Sequence, residues 1–344
     1  LGGVRLVFVD GVYQSSLSSD TLPDGVELCR FADASDEQAA LIGEHLDTLV
    51  DDKGEPFASL NTATLRDGVF LQVAANADVQ TPVHLLWLVR AADGPTAISQ
   101  RLLVLAGSGS RATVVEQFLS LNGAEASFTS GVTELKLEAN AKLHHYRLHE
   151  ESGEAIHIGA VHAQLERDAQ LDSFHLALGS RLKRIDVVVN HAGPGAHADL
   201  NGVYLPRGDE HIDYHTTIEH AVPHCTTDEV FRGIIGDRAT AVFNGRIHIH
   251  PDAQKTRAEL SNRNLLTSTE AEVNTKPELE IYADDVQCAH GATVARIDDL
   301  ALHYLRTRGV SRDEAEVMLS FGFINELIDG MALEPLRDYL RPLL

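Results

Sequence analysis

Cys288 and His290 stand two residues apart in the run Asp284-Asp285-Val286-Gln287-Cys288-Ala289-His290-Gly291-Ala292-Thr293. On an extended segment that spacing puts thiol and imidazole on one face. A soft thiolate beside an imidazole is half of a site for iron, zinc or an Fe–S cluster. Two donors leave a tetrahedral site incomplete, so the remaining ligands must be found outside this pair. An arbitrary Cys-x-His is more often an inert buried cysteine near a structural histidine, and the flanking residues have to decide between the two.

Other reactive residues point to no catalytic chemistry. His144, His145, His149, His157, His162 and His175 cluster in mid-chain, and His211, His215, His220 and His224 follow. Stacked strands would line such residues into a metal ladder, but solvated or hydrogen-bonded surface histidines are the commoner outcome. His248 and His250 are again two apart, without a thiol beside them. Cys225 follows His224, and adjacent residues on a strand face opposite ways, so they make no nucleophile–base pair. No G-x-S-x-G motif is present. Gly107-Ser108-Gly109-Ser110 reads as a β-turn, because nothing matches G-x-x-x-x-G-K-[ST]; no nucleotide is expected on this chain.

The formal charge of −23 repels phosphates and argues against a nucleic-acid partner. No apolar run approaches the roughly 18 residues of a membrane helix, so no membrane role is expected. Cys29, Cys225 and Cys288 are odd in number and far apart, which is no disulfide framework and suits a reducing, cytoplasmic compartment. Leu1-Gly2-Gly3 does not open a signal peptide, and the lack of an initial Met suggests a start inside a longer gene product.

Three segments are expected to position these residues. Residues 1–60 read as a mixed α/β segment: a strand over Val4–Val9, a turn at Asp10-Gly11, and a helix from a Ser35/Gln38 capping box to about Val50. Lys53-Gly54-Glu55-Pro56 then breaks the helix. Residues 61–298 carry short β-rich runs such as Val69–Val73, Val83–Val89, Ile156–Leu165 and Ala241–Ile249, separated by polar corners. Ala141, Ala155 and Ala169 mark corners about 14 residues apart, as do Ala239 and Ala253, which implies a coil of about 28 residues. No long helical pattern interrupts this stretch, which disfavours a doubly wound α/β fold. A mainly β chain with a parallel β-helix core explains the period better than a sandwich with long hairpins.

Residues 299–344 read as a helical domain. Leu300, Tyr304 and Leu305 form one stripe, and a Ser311/Glu314 capping box opens a second helix. Its surplus apolar residues Phe321, Phe323 and Ile324, with Leu327, read first as core of a capping helix bundle and second as a docking surface.

The run around Cys288 and His290 resembles the SufD branch of the SufB/SufD family of Fe–S cluster assembly proteins. So do Phe231-Arg232-Gly233-Ile234-Ile235, Val242-Phe243-Asn244-Gly245-Arg246-Ile247, Asn274-Thr275-Lys276-Pro277-Glu278-Leu279-Glu280-Ile281 and Tyr304-Leu305-Arg306-Thr307-Arg308-Gly309. The resemblance implies a right-handed parallel β-helix flanked by helices. It implies a non-catalytic scaffold, not an enzyme, that pairs with the paralogue SufB through the β-helices. The C-terminal helices would dock the ATPase SufC, whose ATP-driven motion opens the SufB–SufD interface. A homodimer is implied for the isolated subunit, and family members usually carry a further N-terminal helical segment. SufB-like sequences have His-Glu where this chain has His290-Gly291, and Cys288 precedes the shared histidine, so the SufD branch fits better than a SufB-like paralogue. By the same resemblance His290 would donate to iron or a transient Fe–S cluster shared with SufB, with Cys288 as thiolate donor or as a residue behind the ligand.

The rival from another class is an extracellular-type β-helix enzyme acting on polysaccharides, for which Asp209, Glu210 and Asp213 are the available carboxylates.

Overall fold

The computed structural model describes residues 2–19, 21–50, 54–90, 94–121 and 126–344. Leu1 and Lys53 lie outside them. Alternation dictates the elements. In Thr240–Ile249, Ala241, Phe243, Ile247 and Ile249 are buried while Thr240, Val242, Asn244, Arg246 and His248 are half-exposed. A strand of this kind can bury its inner face only against the strands of other coils.

The first strands are β1 (Val4–Val9), β2 (Val12–Tyr13), β3 (Val26–Arg30), β4 (Val69–Val73) and β5 (Val83–Val89). The middle coils are built from β6 (Thr96–Ala106), β7 (Arg111–Ser120), β8 (Ser127–Leu137), β9 (Lys142–Glu150), β10 (Ala155–Leu165), β11 (Gln170–Leu178) and β12 (Leu182–His191). The last are β13 (His197–Leu205), β14 (His211–His220), β15 (Thr226–Ile235), β16 (Thr240–Ile249), β17 (Arg257–Leu266), β18 (Glu272–Ile281) and β19 (Gln287–Arg296).

From β4 onward, strands two apart in sequence pair in parallel, which makes a two-sheet solenoid. One sheet runs β19-β17-β15-β13-β11-β9-β7-β5-β1-β2 and the other β18-β16-β14-β12-β10-β8-β6-β4-β3. The evenly spaced alanines are its inward corners: Ala141, Ala169, Ala196, Ala239 and Ala253 are wholly buried. At Gly195, φ is +78° and a Cβ would meet Asp168 Oδ1 at 2.3 Å, so only glycine turns that corner.

The first 60 residues are not a separate unit. Strand β1 pairs in parallel with β5, and β3 pairs antiparallel with β4. Val4, Leu6, Phe8 and Val26 join the same core cluster as the later coils. Helix α1 (Asp36–His45) has the expected Ser35/Gln38 capping box but stops short of Val50, with Asp47 at φ +61° beyond its end. Pro56 opens a helix rather than breaking one. It occupies the first turn of α2 (Pro56–Thr64), where its missing N–H costs nothing.

At the other end stand α3 (Asp299–Thr307), α4 (Arg312–Asp329, with the Ser311/Glu314 capping box) and α5 (Glu334–Leu340). Ile324 and Ile328 of α4, Met331, and Leu336 and Leu340 of α5 pack on Tyr146, Leu148, Phe174, Leu176 and Val203 of the solenoid wall. Phe323 and Leu327 are half-buried against the same cluster, and Arg232 donates to the Phe323 carbonyl at 2.7 Å. Ile324 is therefore interior and offers no docking surface, and Phe323 and Leu327 lean the same way. The exposed apolar residues of α3 and α4 are instead Leu300, Tyr304, Val317 and Met318.

Candidate metal centre at the open end of the solenoid

Strand β19 is the outer strand of one sheet and β18 the outer strand of the other. Parallel register places Cys288 beside Ala258 and His290 beside Leu260 of β17. Ala258 and Leu260 are buried core residues, so Cys288 and His290 occupy the inward-facing phase of the last coil. No further coil covers them among the described residues. Cys288 is half-buried against the core, while His290, Ala292 and Val294, next in the same phase, are exposed. Across the lumen, β18 brings Val273, Thr275, Pro277 and Leu279 in register with Ala241, Phe243, Gly245 and Ile247 of β16. The expected one-face placement of thiol and imidazole is thus present, at an end where two strand edges and the lumen are open.

Burial pushes the Cys288 thiol up from its ordinary value, and the Ala258 backbone N–H opposes this only in part. Among the described residues, no charged group lowers it. Among the described residues, neither Cys288 nor His290 falls in a group of three or more close metal-binding side chains. Two donors alone leave a tetrahedral coordination sphere incomplete. The turn before it is held by Asp285, which accepts from Lys255 and whose N–H donates to Gln254 Oε1 at 2.8 Å.

Most of the mid-chain histidines are not surface residues. His145, His149, His157, His162 and His175 are all but fully buried, as are His191 and His220, whereas His144 is partly exposed beside Asp172. His162 lies in the outward phase of β10, 2.9 Å from Glu55, and the other buried rings belong to a polar ladder inside the lumen. Arg147 donates to Glu116 at 3.2 Å, to Thr133 at 2.8 Å, to the Gly131 carbonyl at 3.0 Å and to His149 Nε2 at 3.2 Å. His145 Nε2 lies 3.0 Å from Glu116, and His157 Nδ1 lies 2.5 Å from Glu151. Lys183 Nζ donates to the carbonyls of Glu151 and Leu178 at 2.6 and 2.7 Å. Burial holds His149, His175 and His191 well below their ordinary pKa and His220 at about 4, so these rings are neutral near pH 7. A signal was available in the sequence: His145, Arg147 and His149 share the phase of Leu143 and the corner Ala141, which is the inward phase.

The carboxylates of the polysaccharide reading do not gather into a groove. Asp209 pairs with Arg238 at 2.7 Å, Glu210 accepts from the Arg207 N–H at 2.7 Å, and Asp213 binds Arg184 and His215 at 2.7 and 3.0 Å.

The family model described as "SUF system FeS cluster assembly, SufBD core domain" matches residues 88–323, and that of the "SufBD protein N-terminal region" matches residues 3–85. The chain is 34% identical to the iron-sulfur cluster assembly protein SufD of Escherichia coli, over 98% of this chain and 78% of that protein. It is 30% identical to an iron-sulfur cluster assembly SufBD family protein of Synechocystis, covering 98% and 76%. With SufD of Bacillus subtilis the identity is 27%, covering 94% and 74%. A two-sheet parallel solenoid, matched along nearly its whole length by these models and relatives, places the chain in the SufBD family of SUF-system Fe–S cluster assembly proteins.

Proposed function

We propose that this chain is a SufD-type scaffold subunit, non-catalytic and cytoplasmic, that pairs with a SufB-type paralogue through the open end of its solenoid. Iron or a nascent cluster is then the cargo, held between the two chains. One observation carries this reading: the inward stripe of β19, with Cys288 and His290 on it, ends in solvent beside two free strand edges. Unpaired edges of this length invite another chain's strands. A paralogue adding its own coil would cover the lumen and bring donors to the same stripe.

The ligand count supports a transfer role. His290 offers a ring nitrogen without reorganisation. Cys288 becomes a thiolate ligand only when the metal displaces its proton. A site shared between chains opens when the chains part, whereas a closed four-ligand site in one chain would retain its metal. The same open face would serve a homodimer of the isolated chain. Leu300, Tyr304, Val317 and Met318 on α3 and α4 form the apolar face offered to the SufC ATPase, which would supply the nucleotide chemistry.

The test is anaerobic co-purification with SufB and SufC of the wild type, His290→Ala and Cys288→Ser. Iron and acid-labile sulfide per complex, and cluster transfer to an apo acceptor, are expected to fall most for His290→Ala. Unchanged content and transfer in both variants would sink the assignment.

A further inference from the structure

Two histidines and a cysteine meet at one corner of the solenoid, and the reading above makes no use of them. His191 ends β12 and His220 ends β14, in register one coil apart. Cys225 is the inward corner residue just before β15. All three side chains are wholly buried. The imidazoles stack with centroids 4.4 Å apart and 14° between their planes. One nitrogen of each ring and the Cys225 Sγ lie within 4.8 Å of one another.

Hydrogen bonding leaves this cluster unfinished. Both Nε2 atoms rest on the hydroxyl of Thr227, at 2.9 Å for His191 and 3.1 Å for His220. A hydroxyl has one proton to donate, so at least one ring must present its N–H to Thr227 and keep a bare lone pair on Nδ1. Neither Nδ1 has a hydrogen-bond partner. If the other ring carries its proton on Nδ1, that N–H is buried without an acceptor, which is unfavourable. The Cys225 sulfur makes only long contacts with the carbonyls of Gly193 and Pro223, at 3.4 and 3.6 Å. Burial pushes the Cys225 thiol up from its ordinary value, and the backbone N–H groups of Ala196 and Gly195 oppose this only in part.

We propose that His191, His220 and Cys225 form a site for a thiophilic divalent cation, zinc in the first instance, distinct from the shared centre at the open end. Two imidazoles and a thiolate are three of the four donors of a tetrahedral zinc site, with water left for the fourth position. Binding transfers the Cys225 thiol proton to solvent, so one proton leaves per cation bound. Zinc–ligand bonds of about 2.0–2.3 Å require donors about 3.3–3.5 Å apart, so the cluster tightens by up to about 1.5 Å. The entry path is short: His224, beside Cys225, is exposed in the turn at φ +65°. Other close groups are less suited. His149, Glu151 and His157 already face Arg147 and Lys183, and Glu219, His248 and His250 are joined by Arg246.

The chain has three cysteines, so the Cys29→Ser/Cys288→Ser chain keeps Cys225 as its one thiol. Stripped of metal and titrated anaerobically with Co²⁺, it is expected to develop a thiolate-to-cobalt charge-transfer band and tetrahedral d–d bands at one equivalent. One equivalent of Zn²⁺ should bleach both. His191→Gln in the same background should weaken Co²⁺ binding at least tenfold. Absence of the charge-transfer band in the single-thiol protein overturns the proposal, as does a band that persists with unchanged affinity in His191→Gln. Should His191→Gln not fold, X-ray absorption of the zinc-loaded single-thiol protein decides. One sulfur with two imidazoles supports the site, and a sulfur-free shell overturns it.

Discussion

His290 lies in register beside Leu260, yet Leu260 is buried and His290 is exposed. The two residues hold the same inward position one coil apart, and what separates them is whether another coil follows. If a partner solenoid covers this end, a charge at that position would oppose docking without disturbing the subunit. Ala292→Glu, two residues along the same exposed stripe, is expected to weaken association with SufB at least tenfold, while the melting temperature of the isolated chain moves by about 1 °C or less. Titration calorimetry and a thermal melt check both halves. Undiminished association would remove this face from the interface.

The lumen's polar ladder makes a second expectation, about stability. Arg147 is fully buried and satisfies Glu116, Thr133 and the Gly131 carbonyl. Arg147→Met leaves the buried Glu116 carboxylate with His145 and Thr133 alone, and should destabilise by about 3–5 kcal/mol. Adding Glu116→Leu removes the stranded charge and should recover much of that loss. Urea unfolding of the single and double variants measures both, and additivity of the two substitutions would refute the coupling.

The pH dependence follows from two buried glutamates of opposite sign. Burial pushes Glu229 up to about 7, with the hydrogen bond from Thr216 opposing in part. Between its ordinary value of 4.5 and about 7, the folded chain holds a proton that the unfolded chain releases. Stability from this group therefore falls as pH rises through that window, by about 3 kcal/mol in all. For Glu116, burial pushes upward too, but the Arg147 charge and the contacts with His145 and Thr133 outweigh it and hold the carboxyl at about 2. Its contribution is present above pH 4.5 and is lost as pH falls toward 2. Glu229→Gln should therefore gain on the wild type from pH 5 to about pH 7 in thermal melts and level off above. A constant difference across that range would contradict the assignment.

Corners were easier to read in this sequence than strands. Ala141, Ala155 and Ala169 kept their spacing because each takes a buried inward position at a turn between strands. Strands β11, β14 and β15 gave a broken apolar alternation, because Ser173, His175, Thr216, Thr227 and Glu229 take inward positions that a hydrophobic pattern assigns to Val or Leu. Helix α2 was hidden by Pro56, which breaks a helix in its interior but opens one in its first turn. The shared face of Cys288 and His290 was legible from a spacing of two. That this face is uncovered follows only from where the coils stop. The His191–His220–Cys225 cluster joins residues from successive coils, so it becomes visible only once the register of β12 and β14 is known.

That register also separates core from surface on the C-terminal helices, and the two roles can be told apart by experiment. Ile324 is wholly buried against the solenoid wall, whereas Met318, six residues earlier on α4, is 55% exposed. Ile324→Ala should cost about 2–5 kcal/mol in urea unfolding, as a cavity in a packed core does. Met318→Glu, placed on solvent-facing surface, should change stability by less than about 0.5 kcal/mol. If α3 and α4 dock the ATPase through their exposed face, Met318→Glu and Tyr304→Glu should each weaken its binding about tenfold or more in a pull-down titration. Truncating the chain at residue 311 is a poorer test, because it also strips Ile324, Ile328, Leu336 and Leu340 from the core. Full ATPase binding by both surface variants would move the docking face elsewhere on the chain, and an unchanged unfolding midpoint for Ile324→Ala would return that residue to the surface.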